Sequence, residues 1–337
     1  MRQTSNSIKQ IEQCSMEAIP EYILCSTEPL LLKGLVADWP IVKAGHQSSS
    51  AAADYLRGFD QNSPLTAYEG PPAINGRIFY NEEFTGFNFE RTRQTLKQVL
   101  EKLFKVIDLT VAPTYYIGST MIDHWLPGFR AENDIGIGHR ESLVSIWIGN
   151  RSRIAAHYDF PNNIACSVVG RRKVTLYPPD QADNLYVGPL ELTPSGQPIS
   201  LVDTCNPDFQ KYPKYEMALA ASISVELEPG DALFIPSMWW HHVESLEAFN
   251  VLVNYWWRDT PVYQGAPLNA LQHAVMSLRD LPIQQRRVWK QIFDRYVFSE
   301  DDTAFDHIPE HARGVLSGVD EATAKAIRVR LVKFLKW

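Results

Sequence analysis

The stretch Ala155-Ala156-His157-Tyr158-Asp159 decides how this chain is read, together with a later segment, Pro236-Ser237-Met238-Trp239-Trp240-His241-His242-Val243-Glu244-Ser245. Side chains alternate along an extended strand with period two, so His157 and Asp159 point to one face. A second imidazole from a neighbouring strand completes a set of three donors. Two His and one carboxylate on one side of a metal, with the opposite positions open, is the arrangement of non-haem Fe(II) oxygenases. A His–Asp ion pair accounts for two of these residues without metal, so His-x-Asp alone does not decide the matter. Only one of the adjacent His241 and His242 can face inward, and near a bulge the spacing leaves the two equal.

Outward from this motif, residues 113 to 258 carry strand signals. Thr114–Ile117, Leu143–Ile148, Ile164–Val169, Lys173–Tyr177, Ser222–Leu227, Leu233–Ile235 and Val251–Trp257 are short, rich in β-branched or aromatic residues, and bounded by turn formers. Many short strands predict a barrel or sandwich. Val169-Gly170-Arg171-Arg172 and Glu228-Pro229-Gly230-Asp231 read as tight turns. The long connection from about 180 to 215, rich in Pro, Asp and Asn, is expected to frame a pocket mouth.

The flanks differ. Residues 1 to about 110 are mixed, with a short buried strand in Pro29–Pro40 and a helical stripe of Leu96, Val99, Leu100, Leu103, Phe104 and Ile107. From about 267 the periodicity is helical again. Leu268, Leu271, Val275 and Leu278 form one stripe, Val288, Ile292 and Tyr296 another, and Ile327, Leu331, Phe334 and Leu335 a third behind an Asp320 cap. Those apolar faces need cover, either from the β region or from a partner chain. The resulting division is 1–262 as a catalytic β domain with its mixed N-terminal segment and 263–337 as a helical region.

Arg172 stands at the start of Arg172-Lys173-Val174-Thr175-Leu176-Tyr177, where period two groups it with Val174 and Leu176. If that aliphatic face is interior, a guanidinium points inward and requires a carboxylate. Either 2-oxoglutarate or a protein Asp or Glu satisfies it. His46, His124, His139, His273, His307 and His311 lack such company and read as ordinary structural histidines.

At these residues the sequence resembles the JmjC-type, cupin-like Fe(II)/2-oxoglutarate dioxygenases, in particular the group containing factor-inhibiting-HIF asparaginyl hydroxylase. The likeness runs from Pro29–Pro40 through Tyr116, His157-Tyr158-Asp159, Asn163, Gly170, Tyr177-Pro178-Pro179, Asn206-Pro207-Asp208, Pro229-Gly230-Asp231 and Trp239–His242 to Val253–Trp256. It implies a mainly β fold, a double-stranded β-helix of jelly-roll type with flanking helices, followed by a C-terminal helical region. It also implies Fe(II) held by His157, Asp159 and His241, and 2-oxoglutarate as cosubstrate in a pocket containing Arg172, Tyr116, Asn163 and Asn254. Arg172 replaces the Lys of the asparaginyl hydroxylase group, and Ile154 replaces a family Thr three residues before the first ligand. The implied reaction couples oxidative decarboxylation to succinate and CO₂ with hydroxylation of a protein or peptide side chain. The alternatives are a small-molecule or nucleoside hydroxylase, or a metal-binding cupin that acts as a binding module. Dimerisation through the C-terminal helices is a further implication.

Composition narrows the setting. Hydrophobic residues make up 45% and charged residues 21% of the 337, an ordinary globular mix with no bilayer-length apolar run. Cys14, Cys25, Cys166 and Cys205 form no Cys-x-x-Cys pair, and the start of the chain has no apolar signal segment, so a reduced, cytoplasmic protein without membrane partners is expected. The formal charge of −7 argues against a general nucleic-acid footprint.

Overall fold

β-branched and aromatic runs between turn residues fold as strands in the computed structural model, which describes residues 7–194, 196–301 and 303–335. The first residues, on which the reading of the chain's start rests in part, lie outside that range. The strands are β1 (Lys9–Ile11), β2 (Leu30–Leu32), β3 (Leu65–Gly70), β4 (Arg77–Ile78), β5 (Glu90–Gln94), β6 (Thr114–Met121) and β7 (Leu143–Gly149). They continue as β8 (Ser152–Tyr158), β9 (Asn162–Val169), β10 (Arg172–Tyr177), β11 (Ile223–Leu227), β12 (Ala232–Ile235), β13 (Trp240–Ser245) and β14 (Asn250–Trp257). One sheet has nine strands in the order β1-β2-β12-β9-β14-β7-β6-β3-β5, and the other has five in the order β11-β10-β13-β8-β4.

From β7 to β14 the chain crosses repeatedly between the sheets, giving the antiparallel runs β12-β9-β14-β7 and β11-β10-β13-β8. The nine-stranded sheet uses its two faces differently. Ile117, Ile146, Val168, Val251, Val253 and Tyr255 join Ile41, Val42, Leu56, Leu100 and Leu103 of flanking helices in the largest apolar core. Their strand neighbours Tyr116, Trp147, Ala165, Leu252, Asn254 and Trp256 line a cavity that strands of the other sheet also line. Period two thus separates core from site along each strand.

Two turns fix this frame. Gly170 has φ +72°, and a Cβ there would stand 2.4 Å from Asn250 Oδ1, so the β9–β10 turn requires glycine. Buried Asp231 accepts hydrogen bonds from Gly34 N (2.9 Å), Glu228 N (3.0 Å) and Lys33 Nζ (2.6 Å), which ties the turn before β12 to the end of β2.

The helical stripe from Leu96 folds as Leu96–Lys105, opened by a capping box in which Gln98 N donates to Thr95 Oγ1 and Thr95 N to Gln98 Oε1. Ile107 falls beyond its end. The expected strands begin or end within a few residues of those observed, but β1, β3, β4 and β5 have no counterpart in the sequence reading. β5, Glu-Arg-Thr-Arg-Gln, is polar throughout and sits at the sheet edge, where no apolar alternation is needed.

The chain divides into two compact units, Met1–Arg258 and Asp259–Trp337. The second contains the helices Pro267–Leu278, Ile283–Tyr296 and Glu321–Leu335, the last capped by Asp320 Oδ1, which accepts from Thr323 N at 2.7 Å. Leu271, Val288, Tyr296 and Leu331 of the predicted stripes are exposed. No described helix is long and apolar enough to cross a membrane. The architecture is a mixed sheet-and-helix body with a C-terminal helical extension.

Candidate metal centre and its cleft

β8 and β13 pair antiparallel with His157 opposite His241, so register alone brings the two imidazoles together. Their ring centroids are 4.3 Å apart. Asp159, two residues past His157, reaches the same point, with Oδ2 3.6 Å from His241 Nε2. One donor atom from each of the three lies within 4.8 Å of the others. The register shifts between His241 and Val243, and His242 shares Glu244's company instead. The bulge that left spacing undecided is therefore present, and His241 is the histidine on the cavity wall.

The histidine hydrogen bonds suit a metal. His157 Nδ1 lies 2.9 Å from Ala155 O and His241 Nδ1 3.0 Å from Trp239 O. Each backbone carbonyl requires the Nδ1–H tautomer, which leaves Nε2 as a lone-pair donor. Burial, followed by the neighbouring His157, pushes the His241 imidazole down to about 4, so it is neutral at physiological pH. Asp159 Oδ2 accepts from Trp256 Nε1 at 3.0 Å, which fixes the carboxylate's orientation. Two imidazoles whose Nδ1 atoms face backbone carbonyls, together with an oriented carboxylate, fit a divalent transition metal.

All seven residues proposed from sequence line one cavity: Tyr116, His157, Asp159, Asn163, Arg172, His241 and Asn254. The cavity's volume is about 90 Å³. Asn254 Nδ2 donates to Asn163 Oδ1 (3.2 Å), Asn254 Oδ1 accepts from Trp147 Nε1 (2.7 Å), and Asn163 Nδ2 lies 3.5 Å from Asp159 Oδ2. These amides therefore form a relay behind the carboxylate. Ile154 also faces the cavity and supplies no donor.

Arg172 is 3% exposed. Its Nη1 donates to Val251 O (2.9 Å), Ser167 Oγ (3.1 Å) and Val169 O (3.4 Å). Among the described residues no carboxylate pairs with it, so the protein salt bridge that the sequence left open is not formed. Burial pushes its guanidinium down to about 10, still a cation at neutral pH, and lifts the Tyr116 phenol well above its ordinary range.

Trp147, Trp256 and Ser167 also serve the site without a signal of their own in the sequence. Period two from Asn254 would have placed Trp256 on the same face. A wide cleft outside the cavity is likewise silent in the sequence; it is lined by Thr66, Tyr68, Arg91 and Arg93 of β3 and β5, by Thr193 and Gln197 of the long connection, and by His157, Asp159, Trp147 and Trp256. The connection does frame this mouth, since Ser200 N donates to Ala156 O (2.7 Å) beside His157. A second group, Cys205, His242 and Glu244, also gathers donor atoms within 4.8 Å.

A family model described as a cupin-like domain matches residues 16–263. The tRNA wybutosine-synthesizing protein 5 of Mus musculus is 34% identical, across 83% of this chain and 91% of that protein. The lysine-specific demethylase JMJ31 of Arabidopsis thaliana is 39% identical over 35% of this chain, and HSPB1-associated protein 1 of Bos taurus 26% over 74%. The matched regions are only 21% and 52% of those two longer relatives. The narrower likeness to asparaginyl hydroxylase finds no support among these relatives. The expectation that nucleic acid is an unlikely partner is also overturned, because tRNA wybutosine-synthesizing proteins of four vertebrates match. Net charge sums the whole surface, whereas binding depends on the local field.

Proposed function

Because the chain belongs to the cupin-like domain family, we propose that it is an Fe(II)- and 2-oxoglutarate-dependent dioxygenase that hydroxylates a nucleoside-type substrate carried on RNA. The observation that carries this reading is the convergence of His157, Asp159 and His241 in a cavity that also holds a buried arginine without an acidic partner. The strand order of β7 to β14 supports a double-stranded β-helix, and the catalytic part is residues 1–262.

His157, Asp159 and His241 would hold Fe(II), which when bound would supply O₂ activation coupled to decarboxylation of the oxoacid. Arg172 tethers the distal carboxylate of 2-oxoglutarate. On β10 it stands four residues from Leu176, the partner of His241, on the order of 13 Å along the strand. An arginine side chain and a five-carbon diacid together fill such a span. Val251 O and Ser167 Oγ hold Nη1, so the guanidinium is oriented before the ligand arrives. Trp256 and the Asn163–Asn254 pair keep Asp159 aimed, and apolar Leu252, Val174 and Ile235 exclude water from the inner end.

The substrate class rests on the tRNA-modifying relatives and on the aromatic lining of the outer cleft. Incubation with Fe(II), 2-oxoglutarate, O₂ and unfractionated tRNA, followed by digestion to nucleosides, should yield a nucleoside heavier by one oxygen and matching succinate. Succinate formation on a protein substrate, with no oxygenated nucleoside, would contradict the RNA reading.

A further inference from the structure

In a chain of net charge −7, the cleft outside the metal centre has the opposite character. Arg91 and Arg93 line it, and Asp159 is the only carboxylate among its described lining residues. β3 and β5 pair with Tyr68 opposite Arg91 and Thr66 opposite Arg93, so these four share one face, while Glu90 and Gln94 take the other. Glu69, the nearest acid on β3, is already held by Lys102 Nζ at 2.7 Å. Both arginines are exposed. Arg91 Nη2 donates to Pro194 O (2.7 Å), and Arg93 donates to Pro64 O (2.7 Å) and Thr66 Oγ1 (3.2 Å). Each guanidinium has five N–H donors, so both are positioned and neither is saturated.

Aromatic rings connect this wall to the metal centre. Arg91 lies 5.0 Å from the Phe87 ring and 5.6 Å from the Tyr68 ring. Tyr68 contacts Tyr116 (6.1 Å between centroids), Tyr116 contacts Trp147 (6.1 Å), and Trp147 contacts Trp256 (5.7 Å), which holds Asp159. Across the cleft floor, β6 shifts register between Ile117 and Thr120, and Gly118 lets the Tyr68 ring lie close, 3.4 Å from where a Cβ would stand. Two exposed guanidinium groups, one of them beside aromatic faces, form the combination that binds single-stranded nucleic acid, with phosphates on the cations and bases on the rings. An acidic peptide would use the cations but not the rings.

We propose that the β3–β5 edge is an RNA-binding wall, in which Arg91 and Arg93 hold backbone phosphates and Tyr68 stacks a base beside the nucleoside presented to the metal centre. The proposal rests on the hydroxylase reading above for the destination of that nucleoside. Its test is fluorescence anisotropy of a labelled twenty-residue oligouridylate, with unfractionated tRNA and polyglutamate as competitors, on the Fe(II)-loaded full chain. Arg91→Ala/Arg93→Ala should bind about tenfold more weakly. Its plot of log affinity against log salt should be shallower by about 1.4, the value for two lost single-strand phosphate contacts. Arg91→Lys/Arg93→Lys should recover most of the affinity, which a merely misfolded edge would not allow.

Unchanged RNA affinity in the Ala variant would overturn the wall, as would displacement of the RNA by polyglutamate as effective as by tRNA. The visible band formed with 2-oxoglutarate, recorded on the same samples, separates the two ideas. A normal band with Arg-independent RNA binding sinks the wall alone, whereas Arg-dependent RNA binding without any band sinks the hydroxylase reading and leaves the wall standing.

Discussion

The inner cavity and the outer cleft share His157, Asp159, Trp147 and Trp256, yet they are built on different principles. The cavity is lined largely by apolar side chains, and its polar groups are held by hydrogen bonds: Arg172 by backbone and Ser167, Asn163 by Asn254, Asp159 by Trp256. The cleft is wide and lined by exposed arginines and by aromatic rings. On the proposed reading, the oxoacid is gripped where donors are fixed in advance, and RNA is met where charge reaches outward. Changes in the cavity should therefore abolish or weaken metal and oxoacid binding, and changes in the cleft should leave both intact.

The largest effect is expected from Asp159→Ala. It removes an anionic ligand, and turnover should fall to background while the melting temperature stays near that of the parent, measured by succinate release and calorimetry. Arg172→Ala should follow, with the 2-oxoglutarate KM raised roughly 30- to 1,000-fold, as for loss of one partner of a buried charge pair. Arg172→Lys should be milder because it keeps the charge but not the planar fork. Equal KM values for Arg172→Ala and parent would place the tether elsewhere and dissolve the contrast between the regions.

Smaller effects sharpen the comparison. Trp256→Phe deletes the N–H that orients Asp159, and iron affinity should drop about 10- to 100-fold in a chelator competition. Asn254→Ala leaves the Trp147 indole and the Asn163 amide short of a partner, at about 1–3 kcal/mol of stability by denaturant titration. A loss as large as that of Asp159→Ala in turnover would instead show that the amide touches a reactant.

The cavity was legible in the sequence to a degree that the cleft was not, and the reason is physical. His157, Asp159 and Arg172 announce themselves because charged groups on buried, period-two strands need a partner. Asn163, Tyr116 and Asn254 entered through family likeness, and the structure places all of them in the same cavity wall. The choice between His241 and His242 was lost to spacing because the register slips at that point. β5 gave no signal, since an edge strand of Glu, Arg, Thr, Arg and Gln has no apolar face to alternate. Its arginines meet Tyr68 only through pairing with β3, a long-range fact. The whole-chain charge, read as evidence against nucleic acid, averaged this cationic wall away.

Whether the cavity binds iron and the oxoacid together is read from the visible charge-transfer band formed on adding 2-oxoglutarate to the anaerobic Fe(II)-loaded protein. The band should vanish in Asp159→Ala, require far more oxoacid in Arg172→Ala, and be unchanged in Arg91→Ala/Arg93→Ala. Metal bound without a band at any oxoacid concentration would contradict the hydroxylase reading.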